Sequence, residues 1–367
     1  MILDNITIDD LLKKMDDENQ IWYSGDTMFI PFNVYFLTWK DIEDKANGYN
    51  NIFFTTTESF LNGELIPILK RWIEQNKKIY FRNFTFGYGK YLKKIIGSDN
   101  IIAPDSDLTL LKAFDNCRMM FSYENRVHNS NNKKILLNYM TFNRSLHKDY
   151  AMDKFILANN LHLDNRNLIS FHNFEGRNGR NTPDNLKKYS WFYDRPEHRE
   201  FISKFNIDLD KLTDFRLIPK SENFHVSNEQ NKQKERLCEI HNKTMFNLIS
   251  EACMPFSEDP ENIWYYNASI SCKTIWPLYF KNVFYHCPNP TIFNEILEEL
   301  GFKTFFVNDS EFLSSLNEDY YYNQEVQQKL FHNHMHLKNL IENTYTKYDI
   351  QKGKSIHSWI EKYITFK

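Results

Sequence analysis

The chain has 367 residues, 41% of them hydrophobic and 25% charged, with a formal net charge of −3. That balance belongs to a folded protein. The slight acidity excludes a general nucleic-acid coat but leaves room for a local basic surface. The length points to two domains. Five cysteines (Cys117, Cys238, Cys253, Cys272, Cys287) lie far apart with no CxxC pair, so they read as reduced, mostly buried thiols of a cytoplasmic protein. The first residues, "MILDNITIDDLLKKMDDENQ", carry acids where a signal peptide needs a basic and then an apolar segment. No apolar run of about eighteen residues occurs, so no membrane span is expected.

In chain order, "TIDDLLKKM" predicts a short helix capped by Thr7 or Asp9. "MFIPFNVYFLT" and "NNIFFTTT" predict buried strands, and "ESFLNGELIPILKRWIEQN" a helix broken by Pro67. "KKIYFRNFTF" returns to a strand, and "GYGKYLKKIIG" is a turn entering a helix. The polar stretch at 123–134 is the best domain boundary. After it, "KILLNYM", "DYAMDKFILANN" and "NLISFHN" read as strand, helix and strand. Residues 173–235 are polar and aromatic, an insertion or lid, and the polar part of 221–243 reads as a loop before the strand "TMFNLISEA". "PTIFNEILEELGF" is a helix between Pro290 and Gly301, "KTFF" a following strand, and "VQQKLFHNHMHLKNLIENTY" a terminal helix. The alternation predicts an α/β protein.

Several groups could carry chemistry. "NYMTFNRSLHKDY" follows a buried strand and precedes a helix, the carboxyl edge where open α/β sheets bind ligands. Arg144, His147 and Lys148 cluster there and suit a phosphate; an ordinary solvated loop is the other reading. Glu251 ends a strand, where an acid can accept ribose hydroxyls or be a plain loop carboxylate. Lys273, flanked by Ser271 and Thr274, heads "KTIWPLYF". It can meet an anion together with helix-start amides, or snorkel to water. "HNHMH" at 332–336 offers two histidines four apart, but no HExxH pattern supports a metal, and helix-surface or packed histidines are the simpler reading. Lys70, Arg71, Lys77, Lys78, Arg82, Lys90, Lys93 and Lys94, interleaved with Phe81, Phe84, Phe86 and Tyr88, form the best nucleic-acid-like patch. The same alternation also suits a strand with one buried face. Asp105 and Asp107 in "IIAPDSDL" follow a strand and are candidate general bases.

Residues 135–335 resemble a group of phage, viral and bacterial glycosyltransferases, distantly similar to the fucosyltransferase type. In that group a strand ends in an Arg–x–x–His–Arg-like phrase, matched here by Arg144, His147 and Lys148. "LISF" at 168–171, Glu251, the Ser271–Cys272–Lys273–Thr274 phrase, Pro277, "NVFYH", "ELGFKTF" and His332–Asn333 follow in the group's order. One departure stands out: Cys272 occupies the place of the group's glutamate.

The resemblance implies two Rossmann-like domains in a GT-B-like arrangement with an interdomain cleft. An acceptor-side domain would span 1–130 and a nucleotide-sugar domain 131–320, with C-terminal helices at 321–367 packing back on the first. It further implies a metal-independent transfer from a nucleotide diphosphate sugar to a glycan or a modified DNA base, with no resident cofactor. Donor contacts would come from Arg144, His147, Lys148, Glu251, Ser271, Lys273 and Thr274. An inactive nucleotide-sugar-binding or nucleic-acid-binding protein on the same fold is the alternative, and the loss of the acid at Cys272 is its main support. The sequence leaves the oligomeric state open.

Overall fold

The computed structural model describes residues 2–3, 7–17, 21–30, 39–54, 65–82, 93, 96–115, 133–140, 146–170, 196–208, 230–251, 270–351 and 353–366. The chain divides into two compact units. Unit 1 comprises Met1–Asn116, Ala252–Cys272 and Lys338–Lys367, and unit 2 comprises Cys117–Glu251 and Lys273–Leu337. Each is α/β, with a sheet in which parallel pairs predominate.

Unit 1 begins with β1 (Ile2–Leu3) and α1 (Ile8–Asp17). Thr7 caps α1: the Asp10 amide donates to its hydroxyl oxygen at 3.1 Å, and its hydroxyl donates to the Asp10 carboxylate at 2.6 Å. Next come β2 (Trp22–Ser24), β3 (Thr27–Ile30), α2 (Trp39–Ala46), β4 (Asn51–Phe54), α3 (Leu65–Glu74), β5 (Lys78–Phe81), β6 (Ile101–Ile102) and α4 (Ser106–Asp115). The β2–β3 turn uses Gly25 at a φ of 55°, a left-handed conformation that favours glycine. Sheet order is β2-β3-β4-β5-β6, antiparallel only between β2 and β3.

That sequential order has a consequence. Right-handed crossovers made in one direction place their helices on one face. On that face Met28, Ile30, Ile52, Phe54, Ile79 and Phe81 pack against Ile42 of α2 and Leu65, Ile68, Leu69 and Trp72 of α3. Pro67 is the third residue of α3, where no intrahelical donor is required, so it lies in the helix's opening turn instead of breaking it. The opposite face carries an aromatic ladder across four strands. Trp22 stacks on Phe29 at 3.7 Å, Phe29 meets Phe53 at 5.3 Å, and Phe53 meets Tyr80 at 5.9 Å.

Unit 2 contains β7 (Ile135–Met140) and α5 (Leu146–Tyr150), which runs on as a π-helix over Ala151–Leu157. It continues with β8 (Leu168–Ser170), α6 (Pro196–Phe205), α7 (Gln230–Lys243), β9 (Thr244–Ile249), α8 (Cys272–Phe280), β10 (Val283–His286), α9 (Pro290–Glu299), α10 (Asp309–Ser314), α11 (Glu318–Tyr321) and α12 (Gln324–Lys347). The unit division falls inside α12. The sheet is parallel throughout, in the order β8-β7-β9-β10. One face carries Phe246 and Tyr285, packed by Phe155 of the π-helix and Phe312 of α10. The other carries Asn138, Asn247 and His286, facing α7, α8 and α9.

Two sequence expectations change here. The polar stretch before β9 is helical from Gln230, because Leu237, Cys238, Ile240 and His241 give it a short buried stripe. "KTFF" is not a strand. Asn333 of α12 takes the place of a strand partner: its carboxamide accepts from the Lys303 amide at 2.7 Å and donates to the Lys303 carbonyl at 2.8 Å. The neighbouring histidines act similarly. His332 and His336 contact the Gly301 and Leu300 carbonyls at 3.0 and 2.6 Å, and His334 contacts the Tyr279 carbonyl at 2.6 Å. "HNHMH" thus serves the carbonyl ends of α8 and α9.

Unit 1 is completed by α13 (Ser355–Tyr363) and β11 (Thr365–Phe366), which pairs in parallel with β1. Trp359 meets Phe53 at 5.8 Å and Tyr363 meets Tyr80 at 6.1 Å, so α13 covers the face that carries the aromatic ladder. Asp115, at the end of α4, accepts from the Tyr345 hydroxyl (2.7 Å), the Ser355 hydroxyl (2.6 Å) and the Gly353 amide (3.1 Å). Among the described residues, no helix is long and apolar enough to cross a membrane. Replacing Asp115 by alanine strands these donors, and a loss of about 2–4 kcal/mol is expected, visible as a lower denaturation midpoint with an unchanged slope.

Candidate functional site

In unit 2 the chain steps from β7 to β8 on one side, then returns across to β9 and β10 on the other. The strand order thus reverses between β7 and β9, and the carboxyl edge at such a switch point is where open α/β sheets bind ligands. Polar groups line that edge. The Tyr139 hydroxyl donates to the Lys148 carbonyl at 3.3 Å and lies 3.4 Å from the Ser250 hydroxyl, which reaches the Cys287 carbonyl at 3.5 Å.

Immediately after β9, Glu251 is fully buried. One carboxylate oxygen accepts from the Thr274 hydroxyl at 2.5 Å, and the other lies 3.8 Å from the Lys273 ammonium. Thr274 also sits 2.9 Å from Nε2 of His286, at the end of β10. Since the single hydroxyl proton goes to the carboxylate, His286 donates from Nε2. Burial pushes the His286 pKa down to about 3, so its imidazole is neutral, and the ring stacks on Phe293 at 4.3 Å. A buried acid–hydroxyl–imidazole chain thus links the ends of β9 and β10 through the first turn of α8. Lys273 is the member of this group that lines the cleft, its side chain 15% exposed.

The cleft is small, with about 20 Å³ of interior space, and lies against the sheet face covered by α7 and α8. Asn138, Asn247 and His241 make its polar floor, and Met140, Ser250, Lys273 and Trp276 are also among its lining residues. Asn138 and Asn247 are direct partners in the β7–β9 register, and Asn138 donates to Asn247 at 3.0 Å. Burial, reinforced by the Lys133 charge, pushes the His241 pKa down to about 3. The pocket floor is therefore polar and uncharged.

The structure places the expected residues unequally. Lys273, Thr274 and Glu251 come together as described. Glu251 is enclosed, with the Thr274 hydroxyl and the Lys273 ammonium beside it. Ser271 and Cys272 are half-buried at the start of α8. Lys148 is buried at 1% exposure and has polar company, so it is not a cation on an open rim. Arg144 and the His147 side chain lie outside the described residues. Asp105 accepts from the Tyr348 hydroxyl at 2.9 Å, and Asp107 pairs with Lys347 at 2.6 Å. Both acids are engaged with the C-terminal segment of unit 1. Burial, the largest cause, pushes the Tyr348 hydroxyl up to about 12.

Of the basic aromatic patch, Tyr80 and Phe81 are core. Lys77 is buried and donates to the carbonyls of Ala46 (3.0 Å) and Tyr49 (2.6 Å) at the end of α2, and Arg71 pairs with Glu43. Residues 83–92, with Lys90, Phe84, Phe86 and Tyr88, and Lys94 lie outside the described residues. No group of three potential metal ligands occurs among the described residues.

Asn138, Asn247, His241 and Trp276 were not among the residues expected at the site. Their signal was present: an asparagine stands inside each of two otherwise buried strand patterns, "ILLNYM" and "TMFNLI". Comparison with protein-family models, curated proteins and solved structures gives no match to this chain.

Two outcomes follow from the buried chain. Thr274→Val keeps the shape but removes the link between Glu251 and His286, and thermal unfolding should show a loss of about 2–4 kcal/mol, with Thr274→Ser retaining most of it. His241 and His286 bind fewer protons folded than unfolded between their folded values near 3 and the unfolded value near 6.5. Their contribution is complete above about pH 6.5 and is lost as pH falls toward 3. A thermal-unfolding series from pH 7 to 4 should therefore slope downward on acidification, and His286→Phe should flatten it.

Proposed function

We propose that the protein is a glycosyltransferase using a nucleotide diphosphate sugar, with the donor bound at the carboxyl edge of unit 2. The observation that carries this reading is Lys273: a cation in the first turn of α8, beside the β7–β9 reversal, held by a fully buried carboxylate. In the reaction an acceptor oxygen bonds to the anomeric carbon, the bond from that carbon to the diphosphate oxygen breaks, and the acceptor loses its proton. Negative charge grows on the departing diphosphate. Lys273 and the amides at the start of α8 oppose that charge most strongly in the transition state, without a metal. Glu251 keeps the lysine aimed, and Thr274, already bonded on both sides, fixes the turn that carries it.

The finer reading, two Rossmann-like halves of a GT-B-like cytoplasmic enzyme with a glycan or DNA base as acceptor on unit 1, belongs to the same proposal. A second reading is an inactive nucleotide-sugar-binding protein. It is favoured by Cys272, which stands where the resembling group has an acid, while Glu251 is enclosed.

A panel of nucleotide diphosphate sugars in a thermal-shift assay separates these ideas. Stabilisation by at least one donor is expected, and turnover of that donor distinguishes enzyme from binder. No stabilisation by any donor or free nucleoside diphosphate ends the proposal. Lys273→Ala should weaken donor binding roughly 10–100-fold and also lower the unliganded unfolding temperature, because Glu251 loses its charge partner; unchanged affinity removes Lys273 from the site.

A further inference from the structure

We propose that the Asn138–Asn247–His241 cluster is a recognition pocket for the nucleobase of a nucleotide whose phosphates meet Lys273, an inference that rests on the donor site proposed above. Asn138 and Asn247 share one hydrogen bond, which leaves the other end of each carboxamide without a partner. Neither ring nitrogen of His241 has a hydrogen-bond partner, although Asn247 approaches the imidazole. All four atoms are closed to solvent, and the three residues are 2–3% exposed. Buried polar atoms without partners destabilise a fold, and an apolar side chain at any of these positions would avoid that cost. A ligand that supplies the missing partners recovers it.

The surroundings define the ligand. The four atoms offer hydrogen-bond donors and acceptors but no formal charge, since the imidazole stays neutral when buried. A phosphate or carboxylate lodged there would lack a counter-charge, and a hydrocarbon would leave every polar atom unsatisfied. A nucleobase edge presents in-plane donors and acceptors without charge. Trp276 supplies an aromatic wall, its ring 4.8 Å from that of His241, and its side chain must turn to admit a base because the polar floor is closed. Lys273 lines the same cleft, which puts a cation within reach of the phosphates attached to that base.

The experiment is calorimetric titration of the full chain with ADP, GDP, CDP, UDP and TDP, and with ribose 5-diphosphate, which lacks a base. One base should be preferred at least tenfold over the others. Asn247→Leu should abolish that preference, weaken the preferred nucleotide at least tenfold, and leave ribose 5-diphosphate unaffected; Lys273→Ala should weaken every probe alike. His241→Phe repeats the comparison if Asn247→Leu does not fold. Equal affinity for all bases, or an Asn247 effect that is the same with and without a base, overturns the pocket while leaving the phosphate site standing: the cluster then holds only water or another part of the donor, such as its sugar. Failure of every probe to bind overturns the phosphate site as well.

Discussion

The handedness of the crossover between parallel strands decides what each unit must do with its sheet. β–α–β steps turn right-handed almost without exception, so the direction of travel across the sheet fixes which face receives the helix. Unit 1 travels one way, from β3 to β6, and α2 and α3 pack on a single face. Its aromatic ladder would otherwise remain in water. The tail supplies the missing layer: Trp359 and Tyr363 of α13 close over Phe53 and Tyr80, while Asp105, Asp107 and Asp115 tie the tail to α4. Those acids therefore have an architectural occupation.

Unit 2 reverses direction after β8, with the opposite result. Helices pack on both faces, and the strand order switches between β7 and β9. The chain leaves this unit at Glu251 and re-enters it at Lys273, residues 252–272 being grouped with unit 1. The Glu251–Thr274 hydrogen bond and the Glu251–Lys273 pair span the exit and re-entry points. A carboxylate buried there is stable only with such partners, because a buried charge left alone is costly. The same interaction that closes the chain thus fixes the orientation of the lysine.

Strands such as β4, β7 and β9 and helices such as α1, α9 and α12 were legible because apolar runs and capping residues are local signals. Thr7, Pro290 and Gly301 mark the ends of α1 and α9 where the pattern says they should. What was not legible depended on distant partners. "KTFF" has strand propensity, but Asn333, thirty residues away, satisfies its backbone. The stretch before β9 looked like a loop because its polar run obscures the stripe of Leu237, Cys238, Ile240 and His241. At the site, sequence order brought Glu251, Lys273 and Thr274 to notice, but not that Glu251 is enclosed or that Lys148 lies inside. Burial of a charge is a property of the neighbours, which a local reading does not see.

The asparagines show the same limit from the other side. One asparagine in a buried strand is commonly explained by a nearby backbone group. Two that face each other across parallel strands, next to a histidine that stays neutral, form a polar patch where the sheet would be more stable without one. The patch lies on the sheet face under α7 and α8, and its cleft carries Lys273 of the first turn of α8. Charge is thus confined to the turn, while uncharged polarity lies in the interior. That separation suits a ligand with an anionic segment and a neutral polar ring: the anion keeps access to water and to the lysine, and only the part without charge is desolvated.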